Sequence, residues 1–137
     1  FLVTTRGYHG MERLHLTTAD FKLIKQVNLT KAYSCVKGLI GRPRLFARDG
    51  AIYLHGRNYT NPMSLALYKV DPGTLQLQTY VVLDQGPGDG YYAEPFFVDK
   101  GGKTVFNTIT YKMAESGKPD ILRLEFSWEQ ISGASVR

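Results

Sequence analysis

A short strand pattern recurs through this chain with a period of about fifty residues. The segments 14–17, 68–71 and 122–125 each alternate apolar and polar residues, and their first residues are 54 positions apart. A second pair, 42–46 and 94–98, begins 52 positions apart, and each member passes through a proline towards a Gly-containing turn. A repeat of this length with several short strands is typical of the blades of a β-propeller.

Turn signals separate the alternating runs. Asp-Gly at 49–50, Asp-Pro-Gly at 71–73 and Lys-Gly-Gly at 100–102 each fall between two such runs. Glycine supplies positive φ and proline presets the first turn residue, so these are hairpin turns with a physical cause. No segment shows convincing helical periodicity, apart from a short helical turn near 127–131. The sequence therefore predicts an all-β chain.

The strand count refines this prediction. Units at about 1–30, 41–84 and 91–131 hold three, four and three strands. We expect residues 1–137 to form a single partial β-propeller of about three four-stranded antiparallel blades, with the first blade lacking its opening strand and the last its closing strand. Such an arc cannot close a ring, so further blades or another copy of the chain would have to complete it. A β-sandwich with a chance repeat is the alternative.

Composition limits the partners. The formal net charge is +5, but the Lys and Arg residues are scattered without a basic run. This pattern indicates a solvated surface with a preference for anionic ligands and no nucleic-acid partner. No stretch is long and apolar enough for a membrane span.

Cysteine and histidine offer little chemistry. Cys35 is the only cysteine, so no internal disulfide can form, and its neighbours predict a buried structural thiol. His9, His15 and His55 lack the spacing of metal ligands. We expect no metal and no cofactor.

The two X-Pro steps supply the first candidate site residues. Arg42 precedes Pro43 and Glu94 precedes Pro95, so the 52-residue offset makes Arg42 and Glu94 equivalent. A guanidinium is suited to binding a carboxylate, and a carboxylate to acid–base chemistry or to hydrogen bonds with sugar hydroxyls. A salt bridge between Arg42 and Glu94 that only joins neighbouring blades is an equal alternative.

The segment 88–95 is the densest group of polar and aromatic residues. It combines glycines with Asp89, Tyr91, Tyr92 and Glu94. Tyrosines suit sugar rings because they provide both a stacking face and a hydroxyl. A Tyr beside a Glu can also act as a nucleophile in glycoside hydrolysis. For one of the two tyrosines, a place in the core is the better expectation.

A third group lies where a second strand meets its loop. His55 and Arg57 end the strand of the middle unit, and Arg6 occupies the corresponding position one unit earlier. We expect Arg57 and His55 to contribute to ligand binding, with Arg57 near Arg42 on one face. Solvated loop arginines are the alternative, and the favoured one for Arg6.

Three segments resemble the sialidase-like superfamily. Residues 41–54 are similar to the inner hairpin of these proteins, residues 88–95 to the "Asp-x-Gly-Tyr" entry to a blade, and residues 108–126 to the last blade. The Ser-x-Asp-x-Gly-x-x-Trp box of the family is absent, since Trp128 follows Ser127 directly. The resemblance implies a six-bladed propeller that acts on an exposed sugar, with sialic acid among the candidates.

The family's site residues map onto this chain in part. The resemblance implies that Arg42, and more weakly Arg57, belong to an arginine triad for the substrate carboxylate. Tyr91 and Glu94 lie in the segment that is similar to the blade entry and are the candidates for the catalytic pair. The acid–base aspartate of the family would lie in earlier blades.

Two functions follow from the sequence. The first is a sialidase-like glycoside hydrolase, or its fragment, that acts on a terminal sugar of a glycan. The second is a propeller module that binds glycans or proteins without catalysis. Glycan activity would favour an extracellular or periplasmic location.

Overall fold

The strands form three antiparallel sheets in a computed structural model that describes residues 1–5 and 12–133. The first sheet has the order β1-β2-β3, the middle sheet β4-β5-β6-β7 and the last sheet β10-β9-β8. The strands are β1 Leu2–Thr5, β2 Arg13–Thr17, β3 Leu23–Asn28, β4 Ile40–Arg48, β5 Ala51–Asn58, β6 Met63–Val70, β7 Leu77–Gly86, β8 Glu94–Lys100, β9 Lys103–Met113 and β10 Pro119–Ser127. Two short helices are α1 Leu29–Ala32 and α2 Trp128–Ser132.

Two hairpins turn through residues with positive φ. Asp49 and Gly50, with φ of 50° and 71°, join β4 to β5, and Arg48 pairs with Ala51 across the turn. Gly101 and Gly102, with φ of 60° and 75°, join β8 to β9 in the same way. Two-residue turns with positive φ match the twist of antiparallel strands. The predicted turns at 49–50 and 100–102 are therefore confirmed.

The three sheets stack face to face, and the middle sheet has a core on each side. Alternate residues of β5 and β6 point to opposite faces, because side chains alternate along a strand. The core towards the first sheet contains Leu14, Leu29, Val36, Ile40, Leu54, Ala66, Tyr68, Val70, Leu75 and Leu77. The core towards the last sheet contains Tyr53, Leu65, Leu67, Leu83, Tyr91, Ala93, Phe106, Trp128 and Ile131.

Trp128 fixes α2 against the second core. Its ring lies edge-on to Tyr53 and Phe97, with centroids 4.8 and 5.0 Å away. Its indole Nε1 donates a hydrogen bond of 2.6 Å to Oδ2 of Asp49 in the β4–β5 turn. The helical turn predicted near 127–131 is thus confirmed as α2, and it ties the end of β10 to the middle sheet.

The all-β prediction is confirmed, and so, among residues 1–5 and 12–133, are the strand counts of three, four and three. None of the three sheets closes on itself. The sequence pattern did not predict α1, which is capped by Asn28 through a hydrogen bond from the Lys31 backbone N–H. Cys35 is half-buried against the first core, and burial raises the pKa of its thiol. Within the described residues, no helix has the length and apolar character needed to cross a membrane.

Candidate functional site

The guanidinium of Arg57 is the centre of the candidate site. Arg57 is 3% exposed at the end of β5, on the face towards the last sheet. Its Nη1 donates to Oδ1 of Asp89 and, at 3.1 Å, to the carbonyl oxygen of Gly90. Its Nη2 donates to the hydroxyls of Tyr59 and, at 3.2 Å, of Tyr92. A buried positive charge needs such partners, and the Asp89 carboxylate neutralises it.

Two tyrosines lie against this guanidinium, and a third contacts its neighbours. The central carbon of Arg57 lies 4.6 Å from the ring centroid of Tyr59 and 4.4 Å from that of Tyr92. Tyr111 lies edge-on to Tyr92, at 5.6 Å, and its hydroxyl donates to Oδ2 of Asp89 at 3.5 Å. Burial, and to a smaller extent the negative charge of Asp89, raises the pKa of Tyr111. Cation–π contacts and hydrogen bonds together hold Arg57 in one position.

Arg42 is the exposed cation of the same region. Its central carbon lies 4.9 Å from the Tyr92 ring centroid, so Arg42 and Arg57 both contact Tyr92. Within the described residues, its guanidinium has no hydrogen bond or ion pair. Arg42 has φ of 52° and lies in a β-bulge of β4, where the pairing with β5 shifts register. Bulges and positive φ redirect a side chain, and both features cluster at functional sites.

The local sequence explains why these residues meet. Tyr59 begins the loop between β5 and β6, and residues 89–92 belong to the connection between β7 and β8. Both loops lie at the same edge of the sheets as the start of β4. A Cβ at Gly41 would lie 2.8 Å from Nε of Arg57, so only glycine leaves room for the guanidinium. We call Arg42, Arg57, Tyr59, Asp89, Tyr92 and Tyr111 the arginine–tyrosine cluster.

Glu94 does not join this cluster. It is exposed at the start of β8 and forms an ion pair with Arg44, whose Nε and Nη2 each lie 2.8 Å from Oε2 of Glu94. The alternative prediction, a salt bridge between Glu94 and Arg42, is therefore wrong. Glu94 does join the two units through a salt bridge, but its partner is Arg44. The bulge after Gly41 is the reason, because it redirects Arg42 and leaves Arg44 opposite Glu94.

Tyr91 is a core residue. It is 1% exposed, with φ of 63°, and its hydroxyl donates to Oδ2 of Asp84 at 3.0 Å. Lys112 binds the same carboxylate at 3.0 Å. Burial, together with the Asp84 carboxylate, raises the pKa of Tyr91 well above the usual range. Tyr91 and Glu94 thus have different partners, Asp84 and Arg44, and of the two adjacent tyrosines Tyr92 is the exposed one.

His55 is also internal. It is fully buried on β5, edge-on to Phe106 at 5.7 Å, and neither ring nitrogen has a hydrogen-bond partner in the described part of the chain. Burial, with a smaller effect from the positive charge of Arg44, lowers the pKa of His55 to about 3. The imidazole is therefore neutral near neutral pH and does not reach the cluster surface.

Arg6, for which a solvated loop position is predicted, and His9 lie outside the described residues. Among residues 1–5 and 12–133, no group of three or more His, Cys, Asp or Glu side chains is arranged to hold a metal ion. The predicted residues that the structure brings together are Arg42, Arg57, Asp89 and Tyr92.

Sequence reasoning missed two members of the cluster and one partner. Tyr59 and Tyr111 are separated by 52 residues, the same offset that relates Arg42 to Glu94, and this offset was the available signal. Arg44 was overlooked because its role depends on the bulge in β4. Comparison with known proteins finds no family model, no curated protein and no solved structure that matches this chain.

Proposed function

We propose that the three sheets are consecutive blades of a β-propeller that further blades complete. Two features support this architecture: the sheets stack face to face, and the ion pair between Arg44 and Glu94 joins their first strands, β4 and β8. In a propeller, the first strands line the central channel. The loops that lead into them and the loops between second and third strands share one face, which is where the arginine–tyrosine cluster lies.

We further propose that the cluster binds a terminal anionic sugar of a glycan. The observation that carries this proposal is the contact of the exposed Tyr92 ring with the exposed guanidinium of Arg42, which has no hydrogen bond or ion pair among the residues that the structure describes. Arg42 offers two parallel donors to a carboxylate, and Tyr92 offers a face to a sugar ring and a hydroxyl to its oxygens. Arg57 contacts Tyr92 through a hydrogen bond and a cation–π contact and is itself neutralised by Asp89, which leaves Arg42 as the group that meets the ligand.

Binding without hydrolysis is the function that the geometry favours. Glu94 is paired with Arg44, so it is not held as the base of a Tyr–Glu nucleophile pair. The phenol of Tyr91 has a base within hydrogen-bond reach, Asp84, but Tyr91 is 1% exposed, so a substrate does not reach this phenol. Sialidase-like hydrolysis remains the competing proposal, and the same samples test it.

The test is titration of the protein with sialic acid and glucuronic acid, with glucose as the neutral control, followed by NMR or calorimetry. We expect the acidic sugars to bind and glucose not to bind. Arg42→Ala should weaken binding of the acidic sugars about tenfold or more, because a charge-assisted bidentate contact is lost. Tyr92→Ala should weaken it similarly through loss of stacking.

Arg123→Ala is the matched control for Arg42→Ala. Arg123 is also an exposed arginine over an aromatic ring, Phe96 at 5.6 Å, but it lies on the last sheet outside the cluster. If Arg42→Ala and Arg123→Ala bind acidic sugars equally well, the proposed site is wrong. Release of free sugar from a sialylated or glucuronylated substrate, abolished in Glu94→Gln, would replace the binding proposal with hydrolysis.

A further inference from the structure

The loop between β7 and β8 carries two members of the arginine–tyrosine cluster. Residues 87–93 form this loop, which we call the entry segment, and Asp89 and Tyr92 lie in it. An isolated antiparallel bridge pairs Gly90 of the entry segment with Lys112 near the end of β9. The positions of Asp89 and Tyr92 therefore depend on what fastens the entry segment to the end of β9.

Lys112 fastens the chain where the entry segment begins. Its Nζ donates to both carboxylate oxygens of Asp84, at 3.2 and 3.0 Å, and to the carbonyl oxygen of Gln85 at 2.8 Å. The side chains of Lys112 and Asp84 are only 28% and 25% exposed, so water and salt screen this ion pair less than they screen a pair on the surface. The end of β7 is thus held against the end of β9.

Tyr91 fastens the entry segment near its other end. Its backbone N–H donates to the carbonyl oxygen of Tyr111 at 2.8 Å, and its hydroxyl donates to Oδ2 of Asp84 at 3.0 Å. Asp84 therefore joins Lys112 to Tyr91, and we call these three residues the Asp84–Lys112–Tyr91 triad. Tyr91 has the positive φ that tyrosine rarely adopts, so its hydrogen bonds and its burial hold a backbone conformation that directs the next side chain, Tyr92.

Two glycines allow the entry segment to approach β9 this closely. A Cβ at Gly86 would collide with Cε of Lys112. A Cβ at Gly90 would lie 3.0 Å from the carbonyl oxygen of Tyr111, which is backbone and cannot rotate away. The local sequence is therefore built for contact between the entry segment and Lys112.

We propose that the Asp84–Lys112–Tyr91 triad positions Tyr92 for the sugar site. The triad meets no ligand itself, but it holds the entry segment in the conformation in which the Tyr92 ring lies against Arg42 and Arg57. When the triad is broken, the entry segment samples other conformations, and the affinity for the sugar falls with the fraction of molecules in which Tyr92 is in place. This proposal rests on the proposed function of the arginine–tyrosine cluster.

Lys112→Met tests the proposal through affinity, because it removes the ammonium and keeps the length of the side chain. We expect it to bind sialic acid and glucuronic acid about tenfold more weakly than the wild-type chain, by calorimetry at a temperature where both are folded. The loss should persist at high salt, whereas loss of a remote attractive charge would be screened. Lys100→Met, which breaks a Lys–Glu125 pair of 2.8 Å on the same sheet, is the control and should bind like the wild-type chain.

Tyr91→Phe is the second variant. It removes one hydroxyl, changes no charge and keeps the ring in the core, so it should also weaken binding of the acidic sugars, by a smaller factor than Lys112→Met. It takes the place of Lys112→Met if that variant does not fold. Unchanged affinity in both variants, or an affinity of Lys112→Met equal to that of Lys100→Met, would overturn the proposal.

NMR without any sugar tests the position of Tyr92 directly. We expect nuclear Overhauser contacts between the Tyr92 ring and the side chains of Arg42 and Arg57 in the wild-type chain and in Lys100→Met, and their weakening in Lys112→Met. Contacts of equal strength in all three proteins would contradict the positioning role. If the wild-type chain binds no acidic sugar, the proposed function is wrong, and these contacts alone then decide whether the triad holds the entry segment.

Discussion

Nε and Nη2 of Arg44 both lie 2.8 Å from one carboxylate oxygen of Glu94, which joins the first strand of the middle sheet to the first strand of the last sheet. The side chains are 41% and 64% exposed. The contact raises the pKa of Arg44 through its hydrogen bond to Glu94. Because water and salt screen an exposed pair, its geometry aligns the two strands more than it stabilises them.

Glu94→Gln should therefore change the free energy of unfolding by less than about 1 kcal/mol. The amide cannot keep the ion pair, but Arg44 then returns to water at little cost. Urea denaturation at low and at high salt measures this, with Glu115→Gln as a control at an exposed glutamate that has no ion pair in the described chain. A loss of several kcal/mol in the free energy of unfolding, independent of salt, would show that the Arg44–Glu94 pair does stabilise the fold.

Asp89→Asn should be more damaging, although Asp89 is also exposed. Its partner Arg57 has a side chain only 4% exposed, so loss of the carboxylate leaves a buried charge without a counterion. Arg57 keeps Gly90 and two tyrosine hydroxyls as acceptors, and we expect a loss of roughly 1–3 kcal/mol in the free energy of unfolding. Urea denaturation beside Asp99→Asn, an exposed aspartate without an ion pair in the described chain, gives the comparison.

Acetate should partly rescue Asp89→Ala, which removes the whole carboxylate. The carboxylate of Asp89 is 61% exposed, so a small carboxylate can reach the place it leaves. Sodium acetate should raise the melting temperature of Asp89→Ala above its value in sodium chloride at equal ionic strength, and should not do so for the wild-type chain. Equal effects of the two salts on both proteins would show that Arg57 is closed to external anions.

The sequence predicted the strands and turns because local chemistry determines them. Asp49-Gly50 specifies its turn through backbone φ, and this holds whatever the sheets pack against. The repeat was less reliable in the first unit. Leu14 and Tyr68, 54 residues apart, both lie in the core between the first and the middle sheet, whereas equivalent residues of two consecutive units would lie in different cores. A shift of one residue reverses every side chain of a strand, and a short alternating pattern cannot detect such a shift.

The sequence predicted those residues of the candidate site that lie at strand ends or in the loop between β7 and β8. Arg42, Arg57, Asp89 and Tyr92 lie at strand ends and in a Gly-containing loop, and the repeat placed them near one another. The sequence could not show which of Tyr91 and Tyr92 is buried, because the exposure of both side chains depends on the positive φ of Tyr91. Burial of His55 depends on the last sheet covering it, which is a property of packing between sheets.

His55 should make stability depend on pH. The unfolded chain protonates this residue near its ordinary pKa of 6.5, whereas the folded chain does so only at about 3. The stability that neutral, buried His55 contributes to the folded chain is therefore fully present above pH 6.5 and is lost as pH falls towards 3. Between about pH 6.5 and pH 5, the free energy of unfolding should fall by roughly 2 kcal/mol from this group alone.

His55→Phe should remove this part of the pH dependence, measured as the difference in urea unfolding free energy between neutral and mildly acidic buffer. Thr108→Val is the control, because its hydroxyl is also buried without a partner in the described chain but does not titrate. The control should keep the wild-type slope with pH. A wild-type slope in His55→Phe would show that other groups carry the acid sensitivity.

Gly50→Ala and Gly102→Ala should each destabilise the chain by about 1 kcal/mol, because alanine at positive φ is strained. A Cβ at either position meets no neighbouring atom, so the cost arises from the backbone alone. Gly73→Ala is the matched control, since Gly73 also lies in an exposed hairpin turn but is not in the positive-φ region. Thermal unfolding of the three variants should show losses for the first two and little change for the third. A loss in Gly73→Ala as large as the others would mean that side-chain bulk in the turns, and not backbone conformation, sets their cost.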